Sequence, residues 1–434
     1  MTLRSRAALS IDGTPLADHV TPPSADRESR RSDRPLTVLI AAPTIEIGAA
    51  DEGAVELALM LAEAGHRPIV ASGGGRLAPR LAQAGIATVT LDLASRNPMV
   101  IARNAARLRQ LVRSEACDLV HAHGRTAAWS ALVAARAARV PFLTSWYKGF
   151  REQNLFKRAF NGVMARGDRV VAVSEQIADL IVARHRTPRE RIAIIPGAVD
   201  FDRFDPGALT AERLHAVREA WGVPNGTRVI LIAGRMLRRK GHHVVVRAAE
   251  RLKQMGVRDF LFVFAGEDHG RTRYTGELWD LVLATGTADV VRMARPSADL
   301  PAAYGAAMAV VSAAVQPEGV QRAILEALAM ARLTIVSDLA AGPDIVLTPP
   351  AVPEDRMTGL RVPSGDDEAL TLALVRLFAM PEPVRQAIGR RGREWVLARC
   401  GRARIQEQVL AVYAAVVPPT RRAAAQPPAT AADA

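Results

Sequence analysis

Short apolar runs recur along the chain, each followed by a turn and then by a longer stretch of helix formers. The first is Leu36-Thr37-Val38-Leu39-Ile40-Ala41-Ala42. A run without polar alternation reads as a strand buried on both faces, the habit of parallel sheets. A loop from Pro43 to Gly48 follows, then a helix from about Asp51 to Ala64 that Gly65 stops. Pro68-Ile69-Val70-Ala71 is the next strand. The same alternation predicts helices near 77–84, 100–113 and 126–138, with strands at 88–91, 118–121, 141–144 and 169–174. Serial βαβ units imply a doubly wound α/β domain with its ligand crevice at the carboxyl ends of the strands.

A second series opens at Arg228-Val229-Ile230-Leu231-Ile232-Ala233 and continues with strands near 261–265, 290–293, 309–311 and 334–336. Pro and Gly at intervals through 194–206 mark a linker. The chain therefore divides into one domain at 36–205 and another at 206–400, with a last helix at 401–417. The ends, 1–35 and 418–434, carry Ser, Pro, Ala and Arg without periodicity and read as disordered tails.

The length of 434 residues suits two domains with separate cores. No run of eighteen apolar residues occurs, so no transmembrane helix is expected. Arg4 and Arg6 precede an apolar core too short for a secretory signal. Two cysteines, Cys117 and Cys400, fit a reducing compartment. A formal charge of +13 calls for an anionic partner: nucleotide phosphates, acidic lipid headgroups or nucleic acid. Scarce aromatics and the lack of a recognition motif argue against nucleic acid.

Candidate chemistry gathers where strands end. After Ala309-Val310-Val311 come Gln316-Pro317-Glu318-Gly319-Val320-Gln321, and a helix is predicted to begin near Val320. Glu318 then lies on a strand-to-helix loop, with Glu326 about two turns into the helix. A helix start has unpaired N–H groups and a positive dipole end, which suit a phosphate. Eight residues of helix span about 12 Å, roughly the reach between two sugar rings across a diphosphate. An amphipathic helix with two ordinary glutamates has the same spacing. In the first half, His121 and His123 share one strand face, so a metal pair has to be weighed. No third ligand at suitable spacing accompanies them, and no metal is expected. The segment 151–160 places Phe156 and Phe160 four apart beside Lys157 and Arg158, the pattern of a basic amphipathic helix that can lie on an acidic bilayer.

Together these features resemble the retaining family-four glycosyltransferases, which have the GT-B fold: α/β, two Rossmann-like doubly wound domains facing across a cleft. The likeness runs from about 36 to 417, closely in the second half and in patches in the first. Gly234-Arg235 through Lys240-Gly241 is similar to the family's Gly-Arg-x-x-x-x-Lys-Gly loop. Glu318-Gly319-Val320-Gln321 stands where the family has Glu-Gly-Phe-Gly before its Glu-x7-Glu helix. Ala49, after Gly48, replaces the second glycine of the first loop, and Lys148 stands where the family commonly has His before a glycine.

The resemblance implies catalytic roles for Glu318, on the sugar hydroxyls, and for Arg235 and Lys240, on the departing diphosphate. It implies that Gly48, Ala49, Gly234, Gly319, Val320 and Gln321 line the donor, that Glu326 holds its ribose, and that His123 stands at the cleft rim. Lys148 would neutralise leaving-group charge, bind an anionic acceptor, or be a plain surface lysine. The implied enzyme is a metal-independent hexosyltransferase without a cofactor. It would move a sugar from a UDP-, GDP- or ADP-sugar to a cell-envelope glycan or lipid-linked acceptor of the lipopolysaccharide type. It would act in the cytoplasm, in peripheral contact with the acidic inner face of the membrane. The departures keep two alternatives open: a catalytically degenerate nucleotide-sugar binder, and a GT-B sugar-nucleotide epimerase.

Overall fold

The computed structural model describes residues 34–417, apart from 47, 150–153, 268–271, 296, 317, 320 and 340–344. The two expected tails, Val320 and the start of the 151–160 segment thus lie outside the described residues, apart from Arg34 and Pro35.

The first sheet contains β1 (Thr37–Ala41), β2 (Arg67–Ser72), β3 (Ala87–Thr90), β4 (Leu119–Ala122), β5 (Phe142–Trp146), β6 (Arg169–Ala172) and β7 (Ile192–Ile194). Its order is β3-β2-β1-β4-β5-β6-β7, with every pair parallel. The second sheet contains β8 (Arg228–Ala233), β9 (Phe260–Ala265), β10 (Val291–Ala294), β11 (Ala309–Ser312), β12 (Leu333–Ser337) and β13 (Leu360–Val362). Its order is β10-β9-β8-β11-β12-β13, again all parallel. In both sheets the order reverses beside the first strand, between β1 and β4 and between β8 and β11. Open α/β sheets bind ligands at such switch points, beyond the carboxyl ends of the strands.

The unbroken apolar runs have a direct cause. On β1, Leu39 and Ala41 enter one buried cluster, while Val38 and Ile40 enter another. The second cluster also takes Ile405, Val409 and Tyr413 from the helix Arg402–Ala414, which returns to cover the first sheet. Helices begin where a short polar side chain accepts a backbone N–H: Asn97 from Met99, Ser174 from Ile177, Asp299 from Ala302 and Asp366 from Ala369.

Three features differ from expectation. The stretch read as linker begins at Ile194, the last residue of β7, and the helix Ala211–Ala220 just beyond it was not foreseen. Helices Thr272–Ala284 and Asp367–Ala379, not foreseen, complete βαβ units of the second domain. The helix after Glu318 spans Arg322–Ala329, so Glu326 lies little more than one turn in, not two. Gln321 is still extended, at φ −74° and ψ 129°, and delays the start.

Candidate functional site

The second domain supplies most of the charge at its switch point. After β8 the chain runs through Gly234 and Arg235 to a tight turn, Arg238–Lys240. Gly241 closes this turn at φ 75°, and a Cβ there would stand 1.7 Å from the Ala313 carbonyl oxygen. Only glycine lets the loop clasp the end of β11 this closely. Arg239 and Lys240 are thereby aimed at one carboxylate. Glu318 is 5% exposed, and its Oε1 accepts from the Arg239 guanidinium. Its Oε2 lies 2.5 Å from Lys240 Nζ, which also donates to Gln321 Oε1 at 2.9 Å. Gln321 Nε2 is buried without a hydrogen-bond partner among the described residues. Burial lowers the Lys240 pKa; Glu318 opposes that shift, while Arg239 and Arg235 reinforce it.

The first domain meets this cluster from across the cleft. Lys148 is exposed to solvent, yet its pKa is lowered, first by desolvation and then by Arg125, Arg239 and Arg235, with Glu318 opposing. Asp51 accepts from Thr44 Oγ1 at 2.8 Å, and burial raises its pKa while Arg235 pulls it down. Arg235 therefore acts electrostatically on both walls. The walls also touch. A Cβ on Gly319 would stand 2.4 Å from the Tyr147 carbonyl oxygen and 2.6 Å from Val173 Cγ2. The result is a cluster in which cations outnumber carboxylates, a suitable receptor for a diphosphate. Gly48 precedes the helix Ala49–Glu63, and Ala49 is its first residue. Asp51 and Glu52 in the first turn already face the positive end of that helix.

Glu326 stands in an adjoining cluster. Its Oε2 accepts from Tyr304 Oη at 2.8 Å and its Oε1 from Arg322 Nε at 2.9 Å. Arg322 reaches on to the first domain, 2.8 Å from Glu52 Oε2. Burial raises the Glu326 pKa, and Arg322 opposes the shift.

The histidines are placed differently from expectation. His121 and His123 are 2% and 1% exposed, so they lie under the cleft and not at its rim. His121 bonds Ser145 Oγ through Nε2 and Tyr413 Oη through Nδ1, both at 2.8 Å. His123 Nδ1 bonds Tyr147 Oη at 2.9 Å, while its Nε2 is buried without a partner among the described residues. Burial depresses both pKa values, that of His121 to about 3. Tyr147 precedes Lys148, so this buried chain of bonds supports the backbone that presents the lysine.

Sequence reasoning missed Arg239, Arg322, Tyr304 and Glu52. A signal for Arg322 was present, since it lies four residues before Glu326 on a helix and so shares its face. Glu52 and Tyr304 gave none, being brought there only by the fold.

Comparison with known proteins agrees with this architecture. The Glycosyltransferase Family 4 profile matches residues 52–203. The profile of Glycosyl transferases group 1 matches residues 227–380. A D-inositol 3-phosphate glycosyltransferase of Saccharomonospora viridis is 31% identical over 54% of this chain and 52% of its own length. The chain thus spans about half the length of the curated relatives it matches. A glycosyltransferase structure from Rickettsia africae superposes with a TM-score of 0.79 at 27% identity, over 88% of this chain and 98% of that one. Anabaena HepE in complex with UDP-glucose superposes with a TM-score of 0.73 at 17% identity, over 88% and 100% of the two chains. With two Rossmann-like sheets meeting at a cationic cleft, the first half matched by the Family 4 profile and the second by that of group 1, the chain belongs to the family-four glycosyltransferases of GT-B fold.

Proposed function

We propose that the protein is a retaining glycosyltransferase that moves a sugar from a nucleotide-diphosphate sugar to a cell-envelope glycan or lipid-linked acceptor. The observation that carries this reading is the grip of Arg239 and Lys240 on Glu318, with Arg235 in electrostatic range. An incoming diphosphate competes for these cations. As it takes them, the Glu318 oxygens are released to accept from sugar hydroxyls, and the unpartnered Gln321 Nε2 offers a further donor. When the bond between the anomeric carbon and the diphosphate oxygen breaks, negative charge grows on that oxygen, and Arg235 and Lys240 stabilise it. The acceptor hydroxyl attacks the same face, and its proton passes to the leaving phosphate oxygen. Glu326, fixed at both oxygens by Tyr304 and Arg322, is oriented for the ribose. The cations do the work a metal ion does elsewhere, so turnover should survive chelation. HepE, of the same fold, holds UDP-glucose, which supports a sugar-nucleotide donor.

Peripheral contact with an acidic inner membrane face belongs to the same proposal. Leu155 and Phe156 are 81% and 82% exposed on the helix Leu155–Asn161, next to Lys157 and Arg158. No helix among the described residues is long and apolar enough to cross a membrane.

The test is a thermal-shift panel of UDP-, GDP- and ADP-sugars, followed by turnover on envelope glycolipid extracts. A donor at a hundred times its Kd should add about 2.7 kcal/mol of stability. Transfer that persists in Glu318→Ala would defeat the assignment. Binding without turnover would favour a sugar-nucleotide binder, and an isomerised or hydrolysed sugar without acceptor would favour an epimerase.

A further inference from the structure

The cleft occupies the carboxyl end of the second sheet. The opposite end holds a cavity of about 300 Å³ whose walls include Arg218, Val229, Met308, Arg332, Glu382 and Arg385. Val229 lies at the start of β8 and Met308 just before β11, so the cavity is a strand's length from Gly234 and Arg235. At about 3.3 Å per residue that is on the order of 15–20 Å.

Three of these arginines have no carboxylate partner among the described residues. Arg218 donates to the carbonyls of Thr227 at 3.1 Å and Ala306 at 3.5 Å. Arg385 donates to the Met380 carbonyl at 2.6 Å. Among the described residues Arg332 makes one long bond, 3.5 Å to the Ala307 carbonyl, and its Nε is buried without a partner. Burial also presses against the charged form of Arg332. A fourth wall arginine, Arg228, is already paired with Asp259. Glu382, the acidic side chain on the wall, accepts from Gln386 at 2.9 Å.

Arginine does not shed its proton to escape a dry site, so a half-buried guanidinium without a counter-ion is costly. The placement of Arg385 adds to this. It sits in the first turn of the helix Glu382–Cys400, which has no side-chain cap, where the helix dipole disfavours a cation. An anion in the cavity relieves both penalties. The walls are also preformed. A Cβ on Gly389 would stand 2.0 Å from the Ala331 carbonyl oxygen, so this helix is pressed against the turn that carries Arg332. Ala331 itself adopts φ 53°.

We infer that this cavity is a second anion site, separate from the cleft, that takes a phosphate or diphosphate group. Arg218, Arg332 and Arg385 set against Glu382 leave two positive charges, which match one phosphate dianion. Binding here stabilises the second domain from behind and does not depend on the proposed transfer reaction.

The test is calorimetric titration of the full chain with pyrophosphate, for the wild type and for Lys240→Gln, Arg332→Gln and Arg385→Gln. Two binding events are expected in the wild type. Lys240→Gln weakens the cleft event only. Arg332→Gln and Arg385→Gln weaken the other about ten-fold or more, the effect of one charge-assisted hydrogen bond. Hydrogen exchange of Lys240→Gln with pyrophosphate should show protection at 331–333 and 381–386. A single event that Lys240→Gln abolishes, with no protection at those segments, overturns the inference. So do two events that Arg385→Gln leaves unchanged. Should Arg332→Gln fail to fold, Arg385→Gln and Arg385→Glu decide alone, since Arg385 is only half-buried. Vesicles containing phosphatidic acid form a second arm. Protection by vesicles but not by pyrophosphate, lost in Arg385→Glu, makes a lipid headgroup the source of the phosphate.

Discussion

In the second domain the charged side chains of the cleft come from two short loops; in the first they rest on bonds between distant parts of the chain. Arg235, Arg239 and Lys240 follow β8 within a few residues, and Glu318 and Gln321 follow β11. Lys148, by contrast, is presented by backbone whose neighbour Tyr147 bonds His123, beside a His121 that bonds Tyr413, 292 residues away in sequence. One wall is a local device held by loop geometry. The other is a tertiary device that exists only once the last helix has docked. The difference teaches that the wall of the second domain can keep its chemistry while the wall of the first changes, because the two are built from separate supports.

The sharpest way to break this contrast is to remove one cation from each wall. Lys240→Ala should lower kcat about 10²–10³-fold, the usual cost of losing a preorganised group at developing charge. Circular dichroism should be unchanged, because Glu318 retains Arg239. Lys148→Ala should act more weakly, about ten-fold, since its charge is exposed to solvent. Equal losses in steady-state kinetics would show that the walls share the leaving-group charge, and the contrast would fail.

Next in size is Gly319→Ala. The added methyl would overlap Tyr147 and Val173 on the opposite wall, so the walls must part. Misplacement of about 1 Å costs roughly a hundred-fold in rate, and kcat/KM measured with donor and acceptor should fall by that amount. Donor binding by calorimetry should change far less. A variant with unaltered turnover would mean that the contact at Gly319 does not set the working geometry.

How much of this the sequence disclosed follows the same division. The apolar runs announced both sheets, because burial on two faces leaves no polar alternation to confuse with a helix. The loop holding Arg235 and Lys240 was legible because its glycines and cations are contiguous. The partners of the two glutamates were not. Arg239 stood inside a recognised loop at a position the pattern leaves open. Tyr304 and Glu52 reach Glu326 and Arg322 only through packing. The histidine pair invited a metal reading because its spacing is local, while the bonds that occupy it come from Ser145, Tyr147 and Tyr413. The late start of the helix Arg322–Ala329 had no clear signal, because helix propensity does not register an extended Gln321.

Arg322 joins the two walls, and a double-mutant cycle with Glu52 measures that junction. Arg322→Gln leaves Glu52 and Glu326 facing each other without a cation, whereas Glu52→Gln removes only the cross-cleft half. The coupling energy between the two changes should be about 1–2 kcal/mol, in the range for contacting charged residues. It should appear as a roughly ten-fold rise in donor KM with kcat little changed, because Arg322 orients Glu326 and does not touch the breaking bond. Additive effects would mean that the ion pair spans the cleft without coupling its walls.

The smallest effect concerns the buried support of the first wall. The folded His121 pKa lies near 3, and in the unfolded chain it is the ordinary value of 6.5. Below pH 6.5 the unfolded state therefore binds a proton that the folded state refuses. The stability this histidine contributes is complete above that pH and is lost as the pH falls towards 3. The slope is about 1.4 kcal/mol per pH unit for each such group. Among the described residues the polar groups on its ring are Ser145, Tyr413 and His123, and none of them is a carboxylate that would offset the proton. Urea denaturation between pH 7 and pH 4.5 should show a shallower loss in His121→Gln than in the wild type. Tyr413→Phe should cost about 1–3 kcal/mol at pH 7, by leaving Nδ1 buried and unpaired. It should leave donor affinity unaltered, because the donor loops rest on the other sheet. Weakened donor binding in Tyr413→Phe would show that the last helix supports both walls, and the independence argued for them would be lost.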